Sequence, residues 1–287
     1  YLTIDPEGHR GLILALPEAF QLDFNPVKKE KIYLDQNLEK KYIVLTLIDS
    51  NYFDLFDDLI ISLYSSIKAI KEPDDYSAVF INTFHKWSQF FDEDSSDRLK
   101  KHEIQGLFGE LIVLKSLLQK TPASKINSVL DSWKGPYDFG HDFIMANKDI
   151  EVKTKFDGKL TVSISSENQL ESIDERDLDL AVVSVDFDLI NGASIRVLLE
   201  EIMQILEKSL GDHLILLKAL KMKGLNPGLL KEYDNWRFNA IDLTVYDCLN
   251  ASFPKIVKSE INASINRVKY DINLKNLDKF ITSKEVF

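Results

Sequence analysis

Cysteine is almost absent: Cys248 is alone among 287 residues, which excludes an intramolecular disulfide framework and a cysteine-rich zinc site. Histidine is scarce as well. His9, His85, His102 and His213 share no metal-ligand spacing, and each is expected to be structural. No uninterrupted apolar run approaches the roughly 18 residues of a membrane span, and Leu12 to Leu16 lacks the basic start and length of a signal peptide. A reducing cytoplasmic setting, with no membrane partner, is therefore expected. The chain opens on Tyr1 and not methionine, which suggests an initial stretch omitted or processed. Positive charge is in deficit: 35 Lys and Arg stand against 46 Asp and Glu, a formal net charge of −11. Broad, nonspecific affinity for nucleic acid needs phosphate neutralisation by Lys and Arg, so this balance argues against it.

What is present is an ordinary globular composition, 45% hydrophobic, enough to bury one large core or two modest ones. In the first hundred residues, Gly11 to Leu16 and Tyr42 to Ile48 read as apolar strands. Phe53 to Ile70 and Phe80 to Phe91 read as helices. The run Asp92 to Asp97 (DEDSSD) is charged and turn-forming, the best boundary in the chain. Glu103 to Leu118 has helical spacing through Ile104, Leu107, Leu111, Leu114 and Leu118. Gly106 and Gly109 cost it about 1 kcal/mol each against alanine, so something is expected to approach that helix closely, with Glu110 beside the thin patch.

The chemistry-bearing stretch follows. Phe143 to Met145 and Ile150 to Phe156 read as strands, and Asp157-Gly158 favours a type I′ hairpin into a return strand, Lys159 to Ser165. On a strand, residues two apart share a face, so Glu151 and Lys153 point one way and Val152 the other. Asp142, at the head of the first strand, can reach Glu151 across the hairpin. Two carboxylates and a lysine converging on a sheet edge suit metal-assisted phosphodiester hydrolysis, which needs a hard cation on oxygen ligands. The same three residues could instead form a surface ion pair worth about 0–1 kcal/mol. Lys148, Lys153, Lys155 and Lys159 cluster there, either as a track for DNA or as a solvated hairpin.

GLFGEL (Gly106 to Leu111), Trp133-x-Gly135-Pro136, His141-Asp142-Phe143, Glu151-Val152-Lys153-Thr154 and Ile164-Ser165-Ser166 with Gln169-Leu170 resemble a bacterial family of the PD-(D/E)XK nuclease superfamily. Gly224 with Tyr233, Phe253-Pro254 and Val268 to Asp271 extend the resemblance into the C-terminal half. It implies an α/β (α+β) fold with a restriction-endonuclease-like core: helix, three antiparallel strands, helix, strand. Ser166 to Ile173 would be the second helix, Asp179 to Phe187 the last strand, and Ser194 to Leu210 a further helix. The expected organisation is residues 1–97 as an N-terminal α/β subdomain, 98–212 as the nuclease core, and 213–287 as a C-terminal α/β subdomain. In that last part His213 to Leu220 reads as a helix, with Phe238 to Val245 and Arg267 to Leu274 as strands.

By the same resemblance, Asp142, Glu151, the Val152 carbonyl and Glu110 would ligate Mg²⁺, with Mn²⁺ able to substitute. Lys153 would position the attacking water, and Gln169 would contact the site. Gln169 also fits a capping box with Ser166, and Asp138 is an alternative to Asp142, since His141 stands where the motif's proline would be. His141 itself is expected in a hydrogen bond or phosphate contact, and Trp133 and Pro136 as loop anchors. The implied function is a Mg²⁺-dependent DNA endonuclease of bacterial restriction or defence against foreign DNA. The alternatives are a catalytically inactive DNA-binding or scaffolding subunit, or a repair or RNA nuclease. Implied partners are DNA and neighbouring components such as an ATPase or a DNA methyltransferase, with a homodimer left open.

Overall fold

A computed structural model describes residues 1–20, 24–92, 99–137, 140–172, 176–265 and 267–287. The chain divides into two compact units, Tyr1–Asp97 with Leu225–Leu229, and Arg98–Gly224 with Leu230–Phe287. The run from Glu93 to Asp97, where the boundary was expected, lies outside the described residues.

The first unit comprises β1 (Leu2–Ile4), β2 (Arg10–Ala15), β3 (Val27–Lys28), β4 (Ile32–Asn37), β5 (Tyr42–Leu47), α1 (Phe53–Ile67) and α2 (Pro73–Ser88). Its strands pair antiparallel in the order β1-β2-β5-β4-β3. Alternation explains the layering: Ile43, Leu45 and Leu47 of β5 are buried while their neighbours are half-buried, the pattern of a sheet with one covered face. Strands come first and helices second, in the order expected, so the unit is of the α+β kind. The second helix begins at Pro73, earlier than its apolar residues alone indicated; proline suits a first helical turn, where its missing N–H is not needed.

The second unit holds α3 (Lys101–Gln119), α4 (Ile126–Ser132), β6 (Phe143–Ile144), β7 (Lys148–Phe156), β8 (Thr161–Ile164), β9 (Asp177–Phe187), α5 (Ile195–Ser209), α6 (His213–Met222), β10 (Phe238–Asp247), β11 (Tyr270–Asn273) and β12 (Ile281–Val286). A five-stranded mixed sheet runs β12-β10-β9-β7-β6. Its central β9 (DLDLAVVSVDF) is buried from Leu178 to Val185, as a strand covered on both faces must be. Residues 98–212 and 213–287 therefore do not separate. The expected C-terminal subdomain supplies β10, which pairs with β9 from Asp179 to Phe187.

Two elements of the expected core are corrected. The first two strands do pair antiparallel, Phe143 with Ile150, but the third leaves the sheet: β8 pairs with β11 instead, and β7 takes β9 as a parallel neighbour. The turn explains it. Gly158 has φ +76° while Asp157 does not have positive φ, and Lys159 N–H donates to the Phe156 carbonyl at 3.1 Å. That is the φ pattern of a type II turn, not type I′, and its twist splays the flanking strands. Second, residues 166–170 form a turn and not a helix. Their apolar residue, Leu170, is already buried in a cluster with Val162, Ile164, Leu178, Leu180, Val182, Phe253, Ile272 and Phe280.

These layers position the site. Glu151 and Lys153 pair with Leu180 and Val182 on β9, so they share the face covered by the β8–β11 ribbon. Thr154 faces the other way, where α3 lies so close that a Cβ on Gly109 would stand 1.9 Å from Thr154 Oγ1. Gly106, by contrast, has open space around it, so the close approach belongs to Gly109 alone. Among the described residues, no helix is long and apolar enough to cross a membrane.

Candidate active site

Asp142 immediately precedes β6 and is clamped by its own backbone. Its carbonyl accepts from Lys134 N–H (2.6 Å) and Gly135 N–H (3.0 Å), while Trp133 bridges Phe143. Because β6 begins only at Phe143, opposite Ile150, Val152 lies past the paired stretch and its amide has no strand partner on that edge. Asp142 Oδ2 accepts from it at 2.8 Å. The N–H and C=O of one extended residue point to the same side, so the Val152 carbonyl faces the same opening.

On the next residue pair, Lys153 Nζ donates to Glu151 Oε1 at 2.6 Å and to Gln169 Oε1 at 3.2 Å. Gln169 Oε1 also accepts from Ser165 N–H at 2.7 Å. Gln169 thus touches the site lysine, while the expected capping box with Ser166 does not form: residues 166–170 are a turn, and the glutamine accepts from Ser165 N–H instead. Asp142, Glu151 and Gln169, with Gly135, Gly140, Ser166 and Asn168, line a cleft of about 340 Å³.

Glu110 reaches this place from α3. Its Oε2 accepts from the indole of Trp133 at 2.9 Å, and its Oε1 from Lys223 Nζ at 2.7 Å. Gly135 sits between Glu110 and Asp142: a Cβ there would lie 2.6 Å from Glu110 Oε2 and 2.7 Å from Asp142 Oδ1. Lys223 and Gly135 were missed in their site roles. Lys223 lies more than a hundred residues from Glu110 in a turn that carries no chemical pattern, and only the W-x-G-P string marked Gly135.

The electrostatics are those of a crowded acid site. Burial, then the charge of Glu110, raises Asp142 to about 7 against the opposing Val152 amide and Lys153. Burial, then the charge of Asp142, raises Glu151 to about 8 against the pull of Lys153. Asp142, Glu151 and the Val152 carbonyl form an all-oxygen donor set, the kind that suits Mg²⁺ or Mn²⁺, whereas both oxygens of Glu110, expected as a further ligand, are taken by Trp133 and Lys223. Burial and repulsion make the ionised forms of Asp142 and Glu151 costly, a cost that a cation relieves. A divalent ion therefore fits this chemistry.

Elsewhere, the expectations meet a different structure. His141 is buried with its Nδ1 3.3 Å from Asp149 Oδ2, and Arg176 bonds the other Asp149 oxygen at 2.7 Å. A phosphate contact is excluded by that burial. Lys148 is paired with Asp179 at 2.8 Å. Trp133 is buried, an anchor as expected, with the added bond to Glu110. Asp138 lies outside the described residues. Among the described residues, three acidic or histidine ligands lie within 4.8 Å of one another only at Asp5, Glu7 and His9 in the first unit. The three cleft carboxylates are spread wider than that.

A short strand delivering an aspartate to the amide edge of an E-x-K strand, with a further glutamate from a packed helix, is a nuclease-like arrangement. The profile of a family described as "Putative PD-(D/E)XK family member, (DUF4420)" matches residues 1–275, and the chain belongs to that family. No curated protein and no solved structure matches the chain.

Proposed function

We propose that the second unit is a divalent-metal-dependent endonuclease with a restriction-endonuclease-like core that hydrolyses phosphodiester bonds of DNA. The observation that carries this reading is the meeting of Asp142, the Val152 amide edge, Glu151 and Lys153 at one cleft. Asp142 and Glu151, with the Val152 carbonyl, would hold Mg²⁺, and Mn²⁺ would substitute. Bound there, the ion supplies Lewis-acid polarisation of a phosphate oxygen and a more acidic water. Lys153 holds Glu151 and Gln169 in the cleft. With substrate present, its ammonium would orient the attacking water and balance charge developing on the phosphate. Gln169 keeps that lysine in place, and Glu110, fixed by Trp133, raises the negative potential that attracts a cation.

The biological setting we propose is bacterial restriction or defence against foreign DNA. Support comes from the family membership and from the acidic balance of the chain, which favours help in DNA binding from a partner such as an ATPase or a DNA methyltransferase. The test is cleavage of methylated and unmethylated duplex, single-stranded DNA and RNA with Mg²⁺, beside the Lys153→Ala variant. Duplex DNA cleavage that the variant loses supports the proposal. Cleavage of RNA alone would point to the RNA-nuclease alternative, and DNA binding without cleavage, even with candidate partners added, to a scaffolding subunit.

A further inference from the structure

We infer that Lys223 is a built-in cation that takes the place of a second metal ion beside Glu110 and holds the cleft to one divalent ion, an inference that rests on the nuclease reading above. Four observations lead to it. Both oxygens of Glu110 are engaged, one by the Trp133 indole and one by the Lys223 ammonium. Asp142 and Glu151, by contrast, each use one oxygen, Oδ2 and Oε1, leaving Asp142 Oδ1 and Glu151 Oε2 without a donor among the described residues. One ion seated between those two oxygens needs nothing from Glu110. A second ion near Glu110 would meet the ammonium head-on.

The lysine is positioned by its helix. α6 is started by Asp212, whose side chain accepts from Leu214 N–H, and is anchored by buried Leu216, Leu217, Ala219 and Leu220. Lys223 caps its C-terminus, where the helix dipole favours a cation, and Gly224 at φ +80° turns the chain away at once. Charge balance agrees. Three carboxylates face two ammonium groups, Lys153 and Lys223, which leaves one negative charge when all are ionised. One divalent ion with a singly charged phosphodiester brings the cleft to neutrality, whereas a second ion would leave it doubly positive.

The experiment is calorimetric titration with Mn²⁺ of the full chain, counting only the ions whose binding is lost in Asp142→Asn, which sets aside any ion taken at Asp5, Glu7 and His9. Wild type should bind one ion, Lys223→Met two, and Lys223→Arg, which restores the cation, one. Two ions in wild type or in Lys223→Arg would overturn the inference, as would a folded Lys223→Met that stays at one ion with unchanged affinity; in each case the metal reading of the cleft survives. If Lys223→Met does not fold, wild type and Lys223→Arg still decide it. No Asp142-dependent ion in wild type would instead sink the metal reading itself, and the inference with it.

Discussion

Glu151→Gln in the ion-free protein should change stability in a strongly pH-dependent way. Glu151 is 2% exposed and its carboxyl is raised from 4.5 to about 8, first by burial and then by the Asp142 charge. A carboxyl raised on folding binds more protons in the native state than in the unfolded one. Its contribution is therefore fully present below about pH 4.5 and is lost as pH rises through 8. At about 1.4 kcal/mol for each tenfold change in proton affinity, holding the ionised form inside the fold costs at most about 5 kcal/mol. Water entry and movement of Lys153 should lower this to roughly 2–3 kcal/mol. Glutamine keeps the shape and the acceptor for Lys153 without the titration. The two proteins should thus unfold at similar urea concentrations at pH 5, and the variant should be the more stable at pH 9. Adding Mn²⁺ at pH 9 should restore wild type, by about 2.7 kcal/mol at a hundredfold excess over Kd, and leave the variant little changed. Urea unfolding followed by circular dichroism, with a chelator and then with Mn²⁺, measures all four states. Parallel stability profiles for the two proteins from pH 5 to 9 would refute the reasoning.

Lys153→Ala should remove DNA cleavage and lower stability by up to about 3–5 kcal/mol at neutral pH, since the buried Glu151 carboxyl loses its cation along with the bond to Gln169; turnover assayed beside thermal unfolding checks it, and near-normal cleavage in a folded variant removes its role. Gly109→Ala should destabilise by about 1–3 kcal/mol through overpacking, because the new Cβ meets Thr154 Oγ1 at 1.9 Å. The double variant with Thr154→Ala should recover most of that loss in a double-mutant cycle. Gly135→Ala should leave the circular dichroism spectrum intact but weaken Mn²⁺ binding more than tenfold, since its methyl would stand within 2.7 Å of oxygens of both Glu110 and Asp142; unchanged calorimetric affinity would place the ion elsewhere.

Much of the site was legible because it is local. The two-residue period of a strand sets Glu151 and Lys153 on one face from spacing alone, and a hairpin of a few residues brings Asp142 to them. Helical spacing likewise found α3 and α5, where apolar residues recur and Ser194 caps the start. The thin glycine patch on α3 pointed to Glu110 and the family strings added Gln169, though neither told what these residues bond.

What only the tertiary structure decided depends on contacts across long stretches of chain. β8 leaves the sheet for β11, more than a hundred residues on, because the turn at Gly158 splays the strands and an apolar ribbon face was waiting to be covered. β10 joined the core sheet for a similar reason: β9 is apolar on both faces and both edges need hydrogen-bond partners, which local sequence cannot assign. The same holds for charge. Which lysine pairs with Glu110, and that His141 turns away toward Asp149, follow from how α6 and β7 pack, since such contacts form wherever the fold brings partners together. Sequence by itself determined the acids and the lysine of the strand edge; the packing of the second unit decided which of them still have an oxygen to offer.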